Sequence, residues 1–197
     1  MSHAVAVDDR VLRGEFVNLR PLKVADSELT LRWRTAARAR LLNVGARTVE
    51  QQAAWIAGRP DSEHNFVIEL TDGRPVGMLS LIGVDRVNRH AETGRFLIGD
   101  EDAVRGVPAA VEAMKLLYWL AFEELELLRV FGTVAADNTL MIKWQKFLGM
   151  HEEGRLRRHY FLDGTFHDAV LLGLLVDEYR TITLPRMDAL TRAARTH

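Results

Sequence analysis

VRGVPAAVE, residues 104–112, sets Arg105 and Gly106, then Pro108 and two alanines, ahead of a long apolar-periodic run. In that run Val107, Val111, Met114, Tyr118, Phe122 and Leu125 recur at helical spacing, so a helix begins inside the quoted stretch. Two readings of this N-terminus are open. It is a plain surface helix started by a proline, a residue favoured at the first helical position. Or it is a cradle for a phosphate, because the free N–H groups and the dipole of a helix start both favour an anion. The flanking segments have to choose between them.

Upstream, EFVNLRPL (15–22) reads as a first strand, and Asp26 or Ser27 caps a helix through LTLRWRTAARAR (29–40). Thr48, with Gln51 three residues on, is a capping-box pattern opening a helix that carries Ala53, Trp55 and Ile56. NFVIEL (65–70), the turn TDGRP and VGMLSLIGV (76–84) form a hairpin. HAETGRFLIG (90–99) is a strand with Phe96 and Ile98 on one face and Arg95 and Leu97 on the other. Downstream, RVFGTVA (129–135) is a strand. Asp137 or Asn138 caps an amphipathic helix with Leu140, Met141, Trp144, Phe147 and Leu148, and Gly149 suits its C-terminal end. RLRRHYFL and FHDAVLLGLL flank Asp163-Gly164 as a closing hairpin, and a polar, partly helical tail runs from Asp177. This order predicts an α/β fold with a mixed sheet rather than a regular βαβ repeat.

With 197 residues the chain is expected to be one domain, residues 1–197, with a flexible start over 1–13 and the tail over about 177–197. A net charge of −1 carries no basic footprint for nucleic acid. Lysine occurs only at positions 23, 115, 143 and 146, so most cations are arginine forks suited to anionic groups. The absence of cysteine excludes disulfides, cysteine–metal sites and cysteine nucleophiles; no metal is expected. MSHAVAVDDR lacks the apolar core of a signal peptide, and no run approaches the ~18 apolar residues of a membrane span. A cytoplasmic protein without a membrane partner is the expectation.

The strings RGVPAAVEAM (105–114), AFEELELLRV (121–130), DNT (137–139), KFLGM (146–150) and EEG (152–154) resemble the GCN5-related N-acetyltransferase family. Within it they are similar to the branch of ribosomal-protein N-terminal, spermidine and nucleotide-amino-sugar acetyltransferases. The similarity runs from VNLRPL (17–22) to HYFLDGTFHDAVLLGLL (159–175). It implies a mostly antiparallel mixed sheet, splayed at the cofactor site and flanked by helices, with acetyl-CoA (coenzyme A) as cofactor. It maps the pyrophosphate loop onto Arg105, Gly106, Val107, Pro108, Ala109 and Ala110, with Pro108 in place of the first motif glycine. Proline lacks an N–H, leaving the amides of Gly106, Val107, Ala109 and Ala110. The resemblance also assigns backbone pairing with the pantetheine arm to Phe96, Leu97 and Ile98, and a contact with that arm to Asn138. Met141 and Gln145, further along the Asn138 helix, complete its cofactor set. Gln145 stands where the family often carries a tyrosine that protonates the leaving thiolate, and a glutamine is no proton source.

For the base, the resemblance points to Glu92; the bland alternative is an ion pair with Arg89 or Arg95. His159 and His167 lie on the closing hairpin and titrate near neutrality, so either is a candidate proton relay, against the commoner surface role. Trp33 and Arg34, with Arg38 and Arg40 after them, suit an anionic acceptor. Asn88, Arg89 and Tyr160 are further candidates for the substrate cleft, and Asp168 either binds a substrate amine or holds the hairpin. The expected activity is acetyl transfer to the primary amine of a small acceptor, with a nucleotide-linked amino sugar favoured, by direct attack in a ternary complex. A polyamine and a protein N-terminal amine are the alternative acceptors. An acyl-CoA-binding module without turnover is the third reading, prompted by Pro108 and Gln145. A homodimer is the family-like expectation.

Overall fold

The structure, a computed structural model, describes residues 10–42 and 45–195. In chain order it runs β1 (Leu12–Arg13), β2 (Val17–Pro21), α1 (Ser27–Thr35), α2 (Val49–Ala57), β3 (His64–Leu70), β4 (Pro75–Asp85) and β5 (His90–Ile98). Then follow α3 (Ala109–Trp119), β6 (Arg129–Ala135), α4 (Thr139–Leu148), β7 (His151–Leu162), β8 (Thr165–Leu175), α5 (Val176–Glu178) and α6 (Leu184–Ala194). The strands form one eight-stranded sheet in the order β1-β2-β3-β4-β5-β6-β8-β7. Every pairing is antiparallel except β5 with β6. This is the mixed, mostly antiparallel α/β sheet that the element order predicts.

Local signals account for most of these boundaries. The Thr48 hydroxyl accepts the Gln51 amide at 3.2 Å at the start of α2, while the Gln51 side chain accepts the Arg47 amide at 2.9 Å, one residue upstream of a full capping box. Asp163 and Gly164 both take positive φ, 48° and 80°, as a two-residue hairpin turn requires. Period-two alternation along β5 sends Ile98 into the larger core, with Phe96 packed against it, and Leu97 into the smaller one. The larger core, on the α3 face, includes Met114, Tyr118, Phe122 and Tyr179; the smaller gathers Leu22, Trp33, Ile56, Val67, Met78 and Leu97 beneath α1 and α2.

Several expectations shift. The first helix ends at Thr35 rather than running on to Arg40, and a separate tight turn at Ala37–Ala39 buries Ala39 in the smaller core. Helical spacing of Arg38 and Arg40 with Arg34 is therefore lost. Pro108 caps α3 rather than opening it; α3 then widens into a π-helical turn at Leu120–Glu124. Residues 1–9 of the segment expected to be flexible lie outside the described residues, and Leu12–Arg13 already pairs with β2. The segment expected to trail as a polar tail is helical nearly throughout, and it buries Tyr179, Thr183, Met187 and Thr191.

A buried carboxylate ties α3 to the start of the sheet. Glu112 accepts the backbone amides of Glu15, Phe16 and Val17 at 2.9, 2.6 and 2.7 Å. At the other face a Cβ on Gly99 would fall inside the Trp33 indole, so the end of β5 can approach α1 only through a glycine.

Candidate active site

The one parallel pairing is also short. β5 and β6 match only at His90–Arg129, Ala91–Val130 and Glu92–Phe131, and then part. A bulge contributes: the β4–β5 register shifts between Met78 and Ser80, and Arg95 takes a φ of 54°. β5 stays with β4 while β6 stays with β8 as far as Ala135–Ala169. The gap between them is a cleft of about 580 Å³, lined by β5, β6, α1, α2, α4 and Tyr160 of β7.

One wall is built by α4. Asn138 caps it, accepting the Met141 amide at 3.2 Å, and Asn138, Met141 and Gln145 all line the cleft. Gln145 is buried, and its Oε1 has no hydrogen-bond partner among the described residues. Trp144 stacks on Phe96 with centroids 5.2 Å apart, joining α4 to β5 across the splay. Phe96 lines the cleft; the Leu97 and Ile98 side chains are buried, so these two offer the site only backbone. Beyond Glu92 that edge of β5 has no partner strand.

At the head of α3, Gly106 takes a φ of 79°. The Val107 amide turns back to the Val104 carbonyl at 2.9 Å, so it is not one of the donors left for a ligand. Val111 takes its place: the first intrahelical bond is from Glu112 to the Pro108 carbonyl at 3.0 Å, which leaves the amides of Ala109, Ala110 and Val111 at the N-terminus. Arg105 is exposed and paired with Asp102 at 2.6 Å.

At the branch point Glu92 is half-buried. Arg89 turns to the Glu126 carbonyl and Arg95 to Glu63 at 2.7 Å, so neither takes the ion pair that was the bland alternative. Glu92 instead accepts the Thr133 hydroxyl at 3.0 Å, and Thr133 meets the Tyr160 phenol at 2.6 Å. Burial pushes the Tyr160 phenol above its ordinary value, the Thr133 bond opposes this, and the charge of Glu92 adds to it. Thr133 escaped the sequence reading; its one signal was a hydroxyl inside the otherwise apolar RVFGTVA.

Neither hairpin histidine lines the cleft. His159 sets its ring edge-on against Tyr160, 4.6 Å between centroids, on the exposed side. His167 is hydrogen-bonded to Asp137 and, at 2.8 Å, to Thr165; the bond to Asp137 raises it above the ordinary histidine value. Its geometry ties the closing hairpin to the β6–α4 connection rather than serving the cleft. Asp168 holds the same hairpin, accepting Arg155 Nε at 2.8 Å and the Arg158 amide at 2.9 Å, which realises its structural alternative.

Of the sequence candidates for substrate binding, Arg34 and Tyr160 line the cleft, and other residues join them. Arg34 lines the cleft, and burial, with the nearby charge of Arg95, holds it below the ordinary arginine value. Trp33 lies in the smaller core beneath Gly99 and does not reach the wall. Asn88 binds Asp85 at 2.7 Å in the β4–β5 turn, away from the cleft. Arg38 pairs with Glu101 at 2.7 Å. Arg95, Trp55, Gln51 and Gln52 line the wall although they were not singled out, and the Arg95 guanidinium lies 5.0 Å above the Trp55 ring. Among the described residues, no group of His, Asp and Glu could hold a metal ion and no helix is long and apolar enough to cross a membrane.

The chain has relatives among known proteins. Residues 17–151 match the acetyltransferase (GNAT) domain, and the chain belongs to the GNAT acetyltransferase family. It is 39% identical over 110 residues to "Putative ribosomal N-acetyltransferase YdaF" of Bacillus subtilis (strain 168), a match covering 56% of this chain and 58% of that one. It is 30% identical over 118 residues to the spermidine N(1)-acetyltransferase of Escherichia coli (strain K12), covering 60% of this chain and 61% of that one. The matched span thus falls short of two thirds of either relative. A solved structure, a "putative acetyltransferase" from T. thermophilus, superposes with a TM-score of 0.76 at 30% identity, covering 92% of this chain and 96% of that one.

Proposed function

We propose that this chain transfers an acetyl group from acetyl-CoA to the primary amine of a small acceptor, with both bound in one cleft so that the amine attacks directly in a ternary complex. The observation that carries this reading is the β5–β6 splay, which puts Glu92 between a wall of cofactor-type groups and a wall of acceptor-type groups. The residues present suit the cofactor. The amides of Gly106, Ala109, Ala110 and Val111 are donors for a diphosphate. The unpartnered β5 edge at Phe96, Leu97 and Ile98 suits an amide-bearing arm, alongside Asn138. Gln145 Oε1, buried and without a partner among the described residues, is an acceptor for a donor on that arm. Acetyl-CoA supplies an activated acyl carbon and a thiol leaving group. Glu92 takes the proton of the acceptor amine.

Arg34 and Arg95 on the acceptor wall support an acceptor with negative charge near its amine, as in a nucleotide-linked amino sugar. The two sequence relatives, in contrast, are named for ribosomal and spermidine acetylation. A thiol-release assay over amino sugars and their nucleotide conjugates, polyamines and N-terminal peptides decides among the three acceptor classes. Turnover with spermidine and none with anionic amines would remove the amino-sugar reading. The replacement of tyrosine by Gln145 favours a second reading, binding of acyl-CoA without turnover. Under it acetyl-CoA raises the Tm while every amine stays silent. If acetyl-CoA leaves the Tm unchanged, both readings fail.

A further inference from the structure

We propose that Thr133 couples Glu92 to Tyr160, so that proton uptake by the Glu92 carboxylate frees the Tyr160 phenol to donate into the cleft. Tyr160 then does the work that a tyrosine at position 145 would do. This rests on the acetyltransferase reading above. It follows from counting hydrogens on atoms whose spacing is fixed. Thr133 Oγ1 and Tyr160 Oη carry one hydrogen each, and an ionised carboxylate carries none. With Glu92 charged, Thr133 gives its hydrogen to Glu92 Oε1 at 3.0 Å. The phenol then has to donate inward, to Thr133 Oγ1 at 2.6 Å or to the Thr133 carbonyl at 3.2 Å. With a proton on Glu92 the direction reverses. Glu92 donates to Thr133, Thr133 turns its hydrogen to Tyr160 Oη, and the phenol hydrogen is released toward the cleft that Glu92, Thr133 and Tyr160 all line.

The balance closes. In the transfer an N–C bond forms and a C–S bond breaks, and one proton has to pass from nitrogen to sulfur. Glu92 takes it from nitrogen, the phenol delivers its own to sulfur, and the Glu92 proton passes through the Thr133 hydroxyl to restore the phenol. Burial keeps the Tyr160 phenol protonated at neutral pH, so it has a hydrogen to give. Among the described residues lining the cleft, the other charged or titratable side chains are Arg34 and Arg95, and His159 packs on Tyr160 from outside. The facing side chains of α2 and α4, including Gln51, Gln52, Trp55, Asn138, Met141 and Gln145, do not titrate in this range.

The coupling is testable without cofactor. The chain has three tyrosines, so 13Cζ-tyrosine NMR gives three signals, and Tyr160→Phe assigns the one needed. Glu92→Gln is expected to move the Tyr160 titration to lower pH, because it removes a negative charge. Thr133→Val is expected to move it higher, and Thr133→Ser to restore it. Through-space charge alone predicts an equal Glu92→Gln shift in the Thr133→Val background, and that outcome overturns the coupling. In turnover, Tyr160→Phe is expected to lower kcat on the order of 100-fold and to abolish the fall of kcat at high pH. Thr133→Val is expected to lower kcat roughly tenfold, with recovery in Thr133→Ser. Unchanged kcat in Tyr160→Phe overturns the relay and leaves the acetyltransferase reading standing. A wild-type Tm that ignores acetyl-CoA overturns the acetyltransferase reading and the relay with it.

Discussion

Glu112 on α3 is buried and accepts three backbone amides at 2.6–2.9 Å, whereas Glu92 on β5 is half-buried, faces the cleft and accepts one hydroxyl at 3.0 Å. Both are glutamates on regular elements, and both touch a neighbouring part of the fold. The first has its lone pairs committed to backbone donors that have no water to fall back on, so its charge is a structural part. The second has, among the described residues, one carboxylate oxygen without a hydrogen-bond partner. The proposed site residue is marked by what its partners leave open, not by residue type or burial.

Variants at the two positions sharpen that contrast. Glu112→Ala strands three amides and is expected to cost about 3 kcal/mol or more of stability. For a chain of this size that is a Tm drop on the order of 6–12 °C in thermal denaturation. A drop below about 2 °C would mean the amides find other acceptors, and the contrast would fail. Glu92→Gln should do the reverse, lowering kcat on the order of 100-fold while Tm stays within about 2 °C of wild type. Full turnover in Glu92→Gln would remove Glu92 as the base.

Arg34→Ala tests the acceptor wall. The expectation is a rise in acceptor KM of roughly tenfold for an anionic amine, with kcat and the KM for acetyl-CoA little changed. An equal rise for a neutral or cationic amine would show that Arg34 shapes the wall rather than recognising charge.

The smallest effect belongs to His167. Its hydrogen bond to Asp137 raises its folded-state value above the ordinary 6.5. The stability it contributes is therefore fully present below about pH 6.5 and is lost as pH rises through the raised value. The Tm difference between wild type and His167→Gln should shrink from about pH 6 to about pH 8, at no cost to kcat. A loss of turnover with unchanged Tm would return His167 to the active site.

Much of the fold was readable because its signals are local. A threonine cap with Gln51 three residues on, an Asp-Gly pair with positive φ, and alternation along HAETGRFLI each act within a few residues. The groups proposed for the cofactor lie in short stretches of sequence, at 96–98, 105–111 and 138–145, so most of them could be named from local pattern. Those of the acceptor side could not. Arg95 is swung onto the wall by a bulge set by pairing with β4, and Trp33 leaves it because Gly99 lets the end of β5 close over the indole. Thr133 joins residues 41 and 27 positions away, a meeting that no spacing within the chain announces.

Alone, the sequence determined the element order from β2 to β8, the two faces of β5 and a helix start within VRGVPAAVE, since propensity, capping and periodicity are short-range. Which amides that N-terminus leaves free, which glutamate is committed and which is open, and which histidines stay outside were decided only by the tertiary structure. These depend on which strand edges meet and where β5 and β6 part, and that follows from sheet pairing and core packing across the whole chain.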